Sequence, residues 1–111
     1  MTELTQTFFL LIAGHAVADY PLQGEFLAMG KSRANPSPFI PWYQALGAHA
    51  FIHGGMVALI TGVWWLGLLE AICHALIDDS KCTGKIGFNT DQTLHIACKL
   101  LWVIIAVSVS Q

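Results

Sequence analysis

The chain has 111 residues, a net charge of −2, 55% hydrophobic residues and only 11% charged residues. The length is that of one domain, and the slight negative charge argues against a nucleic-acid partner. Because soluble domains carry about 25% charged residues, this composition, with a mean hydropathy of +0.60, predicts an integral membrane protein.

Four hydrophobic segments predict an all-α, integral membrane four-helix bundle that forms a single domain over residues 1–111. The predicted helices cover about residues 4–20, 42–61, 63–78 and 91–109. The first helix ends before Pro21, because the residue that precedes a proline disfavours helix. A polar connector follows, in which a short amphipathic piece fits around Glu25 to Met29. Gly62 permits a tight hairpin between the second and third helices.

The long connectors contain all the lysines and arginines that lie outside the predicted helices, which are Lys31, Arg33, Lys81 and Lys85. The positive-inside rule therefore places both connectors in the cytoplasm and both termini on the non-cytoplasmic side. The N-terminus lacks the basic start of a signal peptide, so the first helix is expected to be retained. The tryptophans are typical anchors at a membrane interface. The spacing of the cysteines predicts no disulfide framework.

All five histidines belong to pairs of ionisable residues four positions apart, with one pair in each predicted helix. The members of such a pair lie about 40° apart around a helix and face one direction. The pairs are His15 with Asp19, His49 with His53, His74 with Asp78, and Asp91 with His95. Because the helices alternate in direction, every pair is expected in the half of its helix that is nearer the long connectors.

Imidazole nitrogens and carboxylate oxygens are ligands for zinc, iron and manganese. Inward-facing pairs on four helices can build a two-metal site. We therefore predict a centre for one or two divalent ions, which would be zinc, manganese or iron. The predicted metal ligands are His15, Asp19, His49, His53, His74, Asp78, Asp91 and His95. The predicted catalytic residues among them are Asp19, Asp78 and Asp91.

Three other polar residues lie near these pairs. Glu70 and Lys99 lie deeper in the bundle and have two interpretations. The favoured one is a mutual ion pair that joins the third and fourth helices, and the other is a role in orienting His74 and His95. Gln92 is either a surface residue at the start of a helix or a hydrogen-bond partner of a ligand, and the sequence does not separate these.

Three of the pairs lie in longer motifs, which are His-Ala-Val-Ala-Asp-Tyr-Pro-Leu-Gln at 15–23, His-Ala-Leu-Ile-Asp at 74–78 and Asp-Gln-Thr-Leu-His at 91–95. With the central histidine helix, these motifs resemble in order and spacing a bacterial and phage membrane family, catalogued as domain of unknown function 3307. Tyr20 stands where that family's pattern has phenylalanine. The chain is also loosely similar to predicted membrane-bound metal-dependent hydrolases, and this similarity implies a reaction class.

The leading hypothesis is a metal-dependent hydrolase that acts on a lipid or phosphoester at the cytoplasmic face of a bacterial inner membrane. A bound metal would lower the pKa of water towards ~7, and basic connector residues could attract an anionic headgroup. Two alternatives stay open: a non-enzymatic subunit or scaffold whose cluster binds metal or pigment, and a diiron-type oxidoreductase. Metal transport is a weaker interpretation, because no chain of polar residues crosses the membrane. The expected partners are membrane lipids and either a second copy in a homodimer or a larger membrane complex.

Overall fold

The computed structural model describes residues 3–109, and this range contains five helices and no strand. The helices are α1 (Leu4–Asp19), α2 (Gly24–Gly30), α3 (Trp42–Thr61), α4 (Trp64–Cys82) and α5 (Phe88–Val109). The all-α class is thereby confirmed. The predicted number of four helices is wrong by one, because the short piece in the first connector forms a helix of its own.

The ends of the last two long helices also differ from the prediction. Helix α4 continues beyond the predicted end at residue 78, as far as Cys82, and in this polar turn the hydroxyl of Ser80 donates a hydrogen bond to the Leu76 carbonyl. Gly84, with a φ of 81°, then turns the chain away. Helix α5 begins at Phe88, three residues earlier than predicted. The largely polar sequence predicts a loop at both places, but a helix end needs no apolar residues and the structure is helical there.

The four long helices pack in a ring in the order α1, α3, α4 and α5, with α5 closing against α1. Helices that follow one another in this order are antiparallel. The connector ends of all four therefore meet at one end of a molecule 47 Å long. The opposite half contains the apolar core, which consists of Leu11, Val57, Leu66, Trp102, Val103 and Ala106.

Helices α3 and α4 approach most closely at Gly54 and Gly67. A Cβ atom built on Gly54 would lie 2.5 Å from the Gly67 carbonyl oxygen and 3.1 Å from the Ala71 Cβ atom. A Cβ atom built on Gly67 would likewise lie 2.5 Å from the Gly54 carbonyl oxygen. Glycine is therefore required on both helices, because any side chain would push the two backbones apart.

Two neighbouring glycines provide a matched test of this contact. We expect Gly54→Ala to lower the free energy of unfolding by about 1–3 kcal/mol, because the added methyl group overpacks the helix contact. Gly55 has no atom within 4 Å of an added Cβ, so Gly55→Ala is expected to raise the free energy of unfolding by up to about 1 kcal/mol through helix propensity. Denaturant unfolding in detergent measures both values. Equal effects at the two positions would contradict the close contact.

One helix within residues 3–109, Phe88–Val109, is long and apolar enough to cross a membrane. Its most apolar window has a mean hydropathy of 1.7, and 28% of that window is buried. A single such helix is weak support for a membrane location, so the predicted four-helix integral membrane bundle is not confirmed. Helix α1 has 16 residues, fewer than the about 20 of a typical span, and α3 and α4 interrupt their apolar residues with buried histidines and carboxylates.

Candidate metal centre

The connector end of the bundle holds a cluster of histidines and aspartates, to which each long helix contributes two residues. All eight predicted metal ligands lie in this cluster, and seven of them are buried. Their side chains meet because residues four positions apart share a helix face and the helices alternate in direction. All five histidines point the Nε2 atom at a cluster carboxylate, at distances between 2.9 and 3.5 Å.

One half of the cluster is centred on Asp19. Its Oδ1 atom lies 2.9 Å from His53 Nε2 and 3.2 Å from His49 Nε2. Its Oδ2 atom lies 3.2 Å from His15 Nε2. His74 completes this half, since its Nε2 atom is 3.2 Å from that of His49. Donor atoms of Asp19, His49, His53 and His74 all lie within 4.8 Å of one another, so these four residues could hold a metal ion.

The other half contains Asp78, Asp91 and His95, which form a second group able to hold a metal ion. The Nε2 atom of His95 lies 3.1 Å from Asp78 Oδ1 and 3.4 Å from Asp91 Oδ1. Asp78 joins the two halves, because its Oδ2 atom lies 3.4 Å from His49 Nε2 and 3.5 Å from His74 Nε2. Asp91 Oδ1 is buried and accepts no hydrogen bond, although His95 Nε2 lies 3.4 Å away.

These separations fit a metal ion. Ligands at ~2.0–2.2 Å from a tetrahedral ion lie ~3.3–3.6 Å from one another by geometry, and the Nε2 atoms of His49 and His74 are 3.2 Å apart. Two imidazole nitrogens at that distance either share one proton or direct two lone pairs at a common cation.

Glu70 determines how His74 faces the cluster. Its carboxylate accepts a hydrogen bond of 2.9 Å from His74 Nδ1. Neutral His74 therefore carries its proton on Nδ1 and turns the Nε2 lone pair towards the cluster. Lys99 Nζ donates to the same carboxylate at 2.8 Å, and Trp102 Nε1 donates at 2.7 Å. The predicted Glu70–Lys99 ion pair is thus present, and Glu70 also orients His74. Ligand atoms of Glu70, His74 and His95 all lie within 4.8 Å of one another, so these residues form a further group that could hold a metal ion.

Trp102 differs from the prediction that the tryptophans are interface anchors. Its side chain is 4% exposed, because its indole packs in the core and its N–H reaches Glu70. Trp64, by contrast, is 74% exposed. An apolar ring with one polar donor suits either setting, so residue type alone does not distinguish the two roles.

Gln92 is a hydrogen-bond partner of the ligands rather than a free surface residue. Its Oε1 atom lies 3.2 Å from His15 Nε2, and its amide nitrogen donates to Asp91 Oδ2 at 3.1 Å. The same nitrogen lies 3.4 Å from Asp19 Oδ2. Gln92 therefore links the two halves of the cluster at its more exposed side.

Lys31 was missed as a site residue. The sequence predicts a connector residue whose charge could attract headgroups, yet Lys31 is 4% exposed and its Nζ atom donates to Asp78 Oδ2 at 2.8 Å. Gln23 accepts a second hydrogen bond from Lys31 Nζ and donates to the Asp19 carbonyl. Gln23 is the last residue of the motif at 15–23, and its place in that motif is the feature of the sequence that points to this contact. The path of the connector, which brings Lys31 over the cluster, leaves no periodic pattern in the sequence.

Arg33 and Asp79 form a separate ion pair outside the cluster. Arg33 Nε donates to both oxygens of Asp79, at 2.8 and 3.1 Å. The Asp79 carboxylate raises the pKa of Arg33 above its ordinary value. Because this pair is exposed to solvent, it provides a comparison for the buried charges.

The chain is thus a small all-helical protein in which four helices assemble a buried centre of histidines and carboxylates. Residues 7–111 match the family described as protein of unknown function (DUF3307), and the chain belongs to that family. The resemblance predicted from the three motifs is therefore confirmed. No curated protein and no solved structure matches the chain significantly.

Proposed function

We propose that the protein is a membrane-embedded, metal-dependent hydrolase that acts on a lipid or phosphoester at the cytoplasmic face. The observation that carries the proposal is the convergence of five Nε2 atoms on the carboxylates of Asp19, Asp78 and Asp91. These donor types suit zinc, manganese and iron. A bound divalent ion would supply Lewis acidity and an activated water molecule.

The aspartates have different tasks in this proposal. Asp19 is the most accessible of them, with 13% of its side chain exposed, so a substrate is expected to enter beside it. A carboxylate at that edge can accept a proton from water during hydrolysis. The side chains of Asp78 and Asp91 are only 3% and 2% exposed, and in this proposal they bind and orient. Gln92 contacts both Asp19 and Asp91 and fixes the positions of the two carboxylates relative to each other.

The outer surface supports the membrane part of the proposal. Large apolar side chains on several helices point outward, among them Phe9 at 69%, Phe51 at 70%, Leu59 at 80% and Leu76 at 66% exposure. Soluble monomers rarely expose apolar patches of more than a few hundred Å². The connector residues Arg33 and Lys85, together with Lys81 in the last turn of α4, favour the cytoplasmic orientation. Lys31 does not contribute to this argument on orientation, because it is buried against Asp78.

The burial of the cluster favours a second candidate, a non-enzymatic subunit in which a metal ion braces the bundle. His49 and His74 are 0% exposed, and their neighbours nearly so, which leaves little space for a substrate. The rings of His53 and His74 stack with centroids 3.6 Å apart, and this contact leaves no gap for a pigment between them. A scaffold of this kind would bind metal without turnover.

The test combines metal analysis with a hydrolysis assay on the detergent-purified protein. We expect about one or two ions per chain in the parent, and loss of this metal in His49→Ala/His53→Ala, because two of the four ligands of one half are removed. Gln44→Ala, an exposed change on the same helix, should keep the metal. Fluorogenic phosphodiester and carboxylic-ester lipids in micelles should be hydrolysed, with the activity lost on chelation and restored by zinc or manganese.

The outcomes separate the candidates. Bound metal with no hydrolysis of any substrate would favour the scaffold, and bound iron with an optical or Mössbauer signal would favour diiron chemistry. Absence of metal from both the parent and Gln44→Ala would refute the metal centre.

A further inference from the structure

Lys31 brings a buried positive charge into the cluster from outside the ring of helices. It follows α2, and its Nζ atom donates at 2.8 Å to Asp78 Oδ2. A buried ammonium group costs several kcal/mol unless it is paired, and here the Asp78 carboxylate and the Gln23 amide oxygen supply partners. Only 4% of the residue remains exposed. Lys31 is thus a component of the centre and not a solvated connector charge.

Lys31 donates to the Asp78 oxygen that faces His49 and His74. Asp78 Oδ1 faces His95, whereas Oδ2 faces His49 and His74 in the other half. In two-metal sites the ions lie about 3.5–4 Å apart and share ligands. An aspartate whose two oxygens face both halves is the natural bridge. The ammonium group of Lys31 is bound to one of these two oxygens and so competes with such a bridge.

The charges of the cluster favour one bound metal ion over two. Three aspartates carry three negative charges, and the Lys31 ammonium group cancels one of them. Glu70 and Lys99 neutralise each other through their contact of 2.8 Å. One divalent ion is enough to balance the two remaining negative charges, whereas two ions would exceed them by at least two positive charges in a buried site. Without Lys31, two ions and one hydroxide would balance the three carboxylates.

We propose that the Lys31 ammonium group takes the place of a second metal ion, so that the centre binds one divalent ion. That ion is held by the four-residue group of Asp19, His49, His53 and His74. The inference rests on the proposed metal centre and specifies its stoichiometry. The inference also narrows the proposed class of substrate. A two-metal site binds two oxygens of an ester, and the ammonium group can bind one anionic oxygen in the same manner. A phosphoester, which carries such an oxygen, therefore suits the centre better than a neutral ester.

The experiment measures manganese stoichiometry in the full chain and in three variants. Each protein is saturated with Mn²⁺ in detergent, freed of excess metal and analysed by elemental analysis and electron paramagnetic resonance. We expect one ion per chain in the parent and about two in Lys31→Met, a twofold rise. Lys31→Arg keeps the charge and should bind one ion. Arg33→Met, which removes the exposed neighbouring cation, should also bind one.

The resonance spectrum provides an independent criterion that does not require a variant to fold. A single Mn²⁺ gives an uncoupled spectrum in the parent, whereas two ions about 3.5–4 Å apart give a spin-coupled one. A coupled spectrum or two ions in the parent would overturn the role of Lys31 and leave the metal centre intact. One ion in folded Lys31→Met would overturn it too. Absence of Mn²⁺ from all four proteins would instead refute the metal centre on which the inference rests.

Discussion

Asp19→Asn is expected to lower turnover by more than about 100-fold. Loss of a residue that only supports a metal ligand costs about 10–100-fold in affinity or activity, and Asp19 is the only carboxylate in its four-residue group. Its two oxygens contact His15, His49 and His53. Asparagine has nearly the same size but lacks the charge and one acceptor oxygen, so the change tests chemistry more than packing.

This position has an advantage over Asp78 as a test. Removing the Asp78 charge would leave Lys31 without its carboxylate partner and risk unfolding, whereas the side-chain partners of the Asp19 carboxylate are histidines and Gln92. Asp79→Asn is the matched control, because Asp79 lies outside the cluster in an exposed pair with Arg33. Rates on the best phosphoester substrate, with the metal content of each variant, give the comparison. Full turnover in folded Asp19→Asn would exclude the proposed role of this carboxylate.

Glu70→Gln is expected to lower the free energy of unfolding by about 3–5 kcal/mol. Breaking a buried ion pair leaves an uncompensated charge, and Lys99, which is 1% exposed, would be that charge. The Glu70 carboxylate also accepts hydrogen bonds from His74 and Trp102. The substitution therefore weakens one ion pair and two further contacts at once.

Asp79→Asn again supplies the reference, because its pair with Arg33 is exposed and such pairs contribute about 0–1 kcal/mol. The double variant Glu70→Gln/Lys99→Met removes both charges and should recover part of the lost stability. Chemical denaturation in detergent measures all three. If Glu70→Gln and Asp79→Asn lowered the free energy of unfolding by equally small amounts, the buried Glu70–Lys99 pair would not have the stabilising role assigned to it.

Helical periodicity explains why the candidate site could be predicted from the sequence. Residues four apart share a helix face, and alternating helix directions bring His15, His49, His74 and His95 to one end. Their roles as metal ligands remain predictions. Contacts made by irregular chain are different, because the route of residues 21–41 leaves no repeating pattern. Lys31 therefore could not be placed, and α2 could only be proposed as a short piece.

The burial of apolar residues was also hard to predict from the sequence. A long apolar helix is equally suited to lipid and to a protein interior, so Trp102 could not be separated from Trp64 by residue type. The membrane expectation came from composition, which reports average polarity and not which side chains face outward. Among the described residues, the structure adds that outward side chains such as Phe51 and Leu59 are apolar, while much of the interior is polar.

The contact between Gly54 and Gly67 has a consequence for the order of assembly. Only Gly62 and Val63 separate α3 from α4, so this hairpin closes over a very short loop at little entropic cost. Local contacts form early in folding, and we expect the α3–α4 hairpin to be the first tertiary unit. Helices α1 and α5 come from opposite ends of the chain and would dock on it later. The cluster, which needs all four helices, would then be the last part of the protein to form.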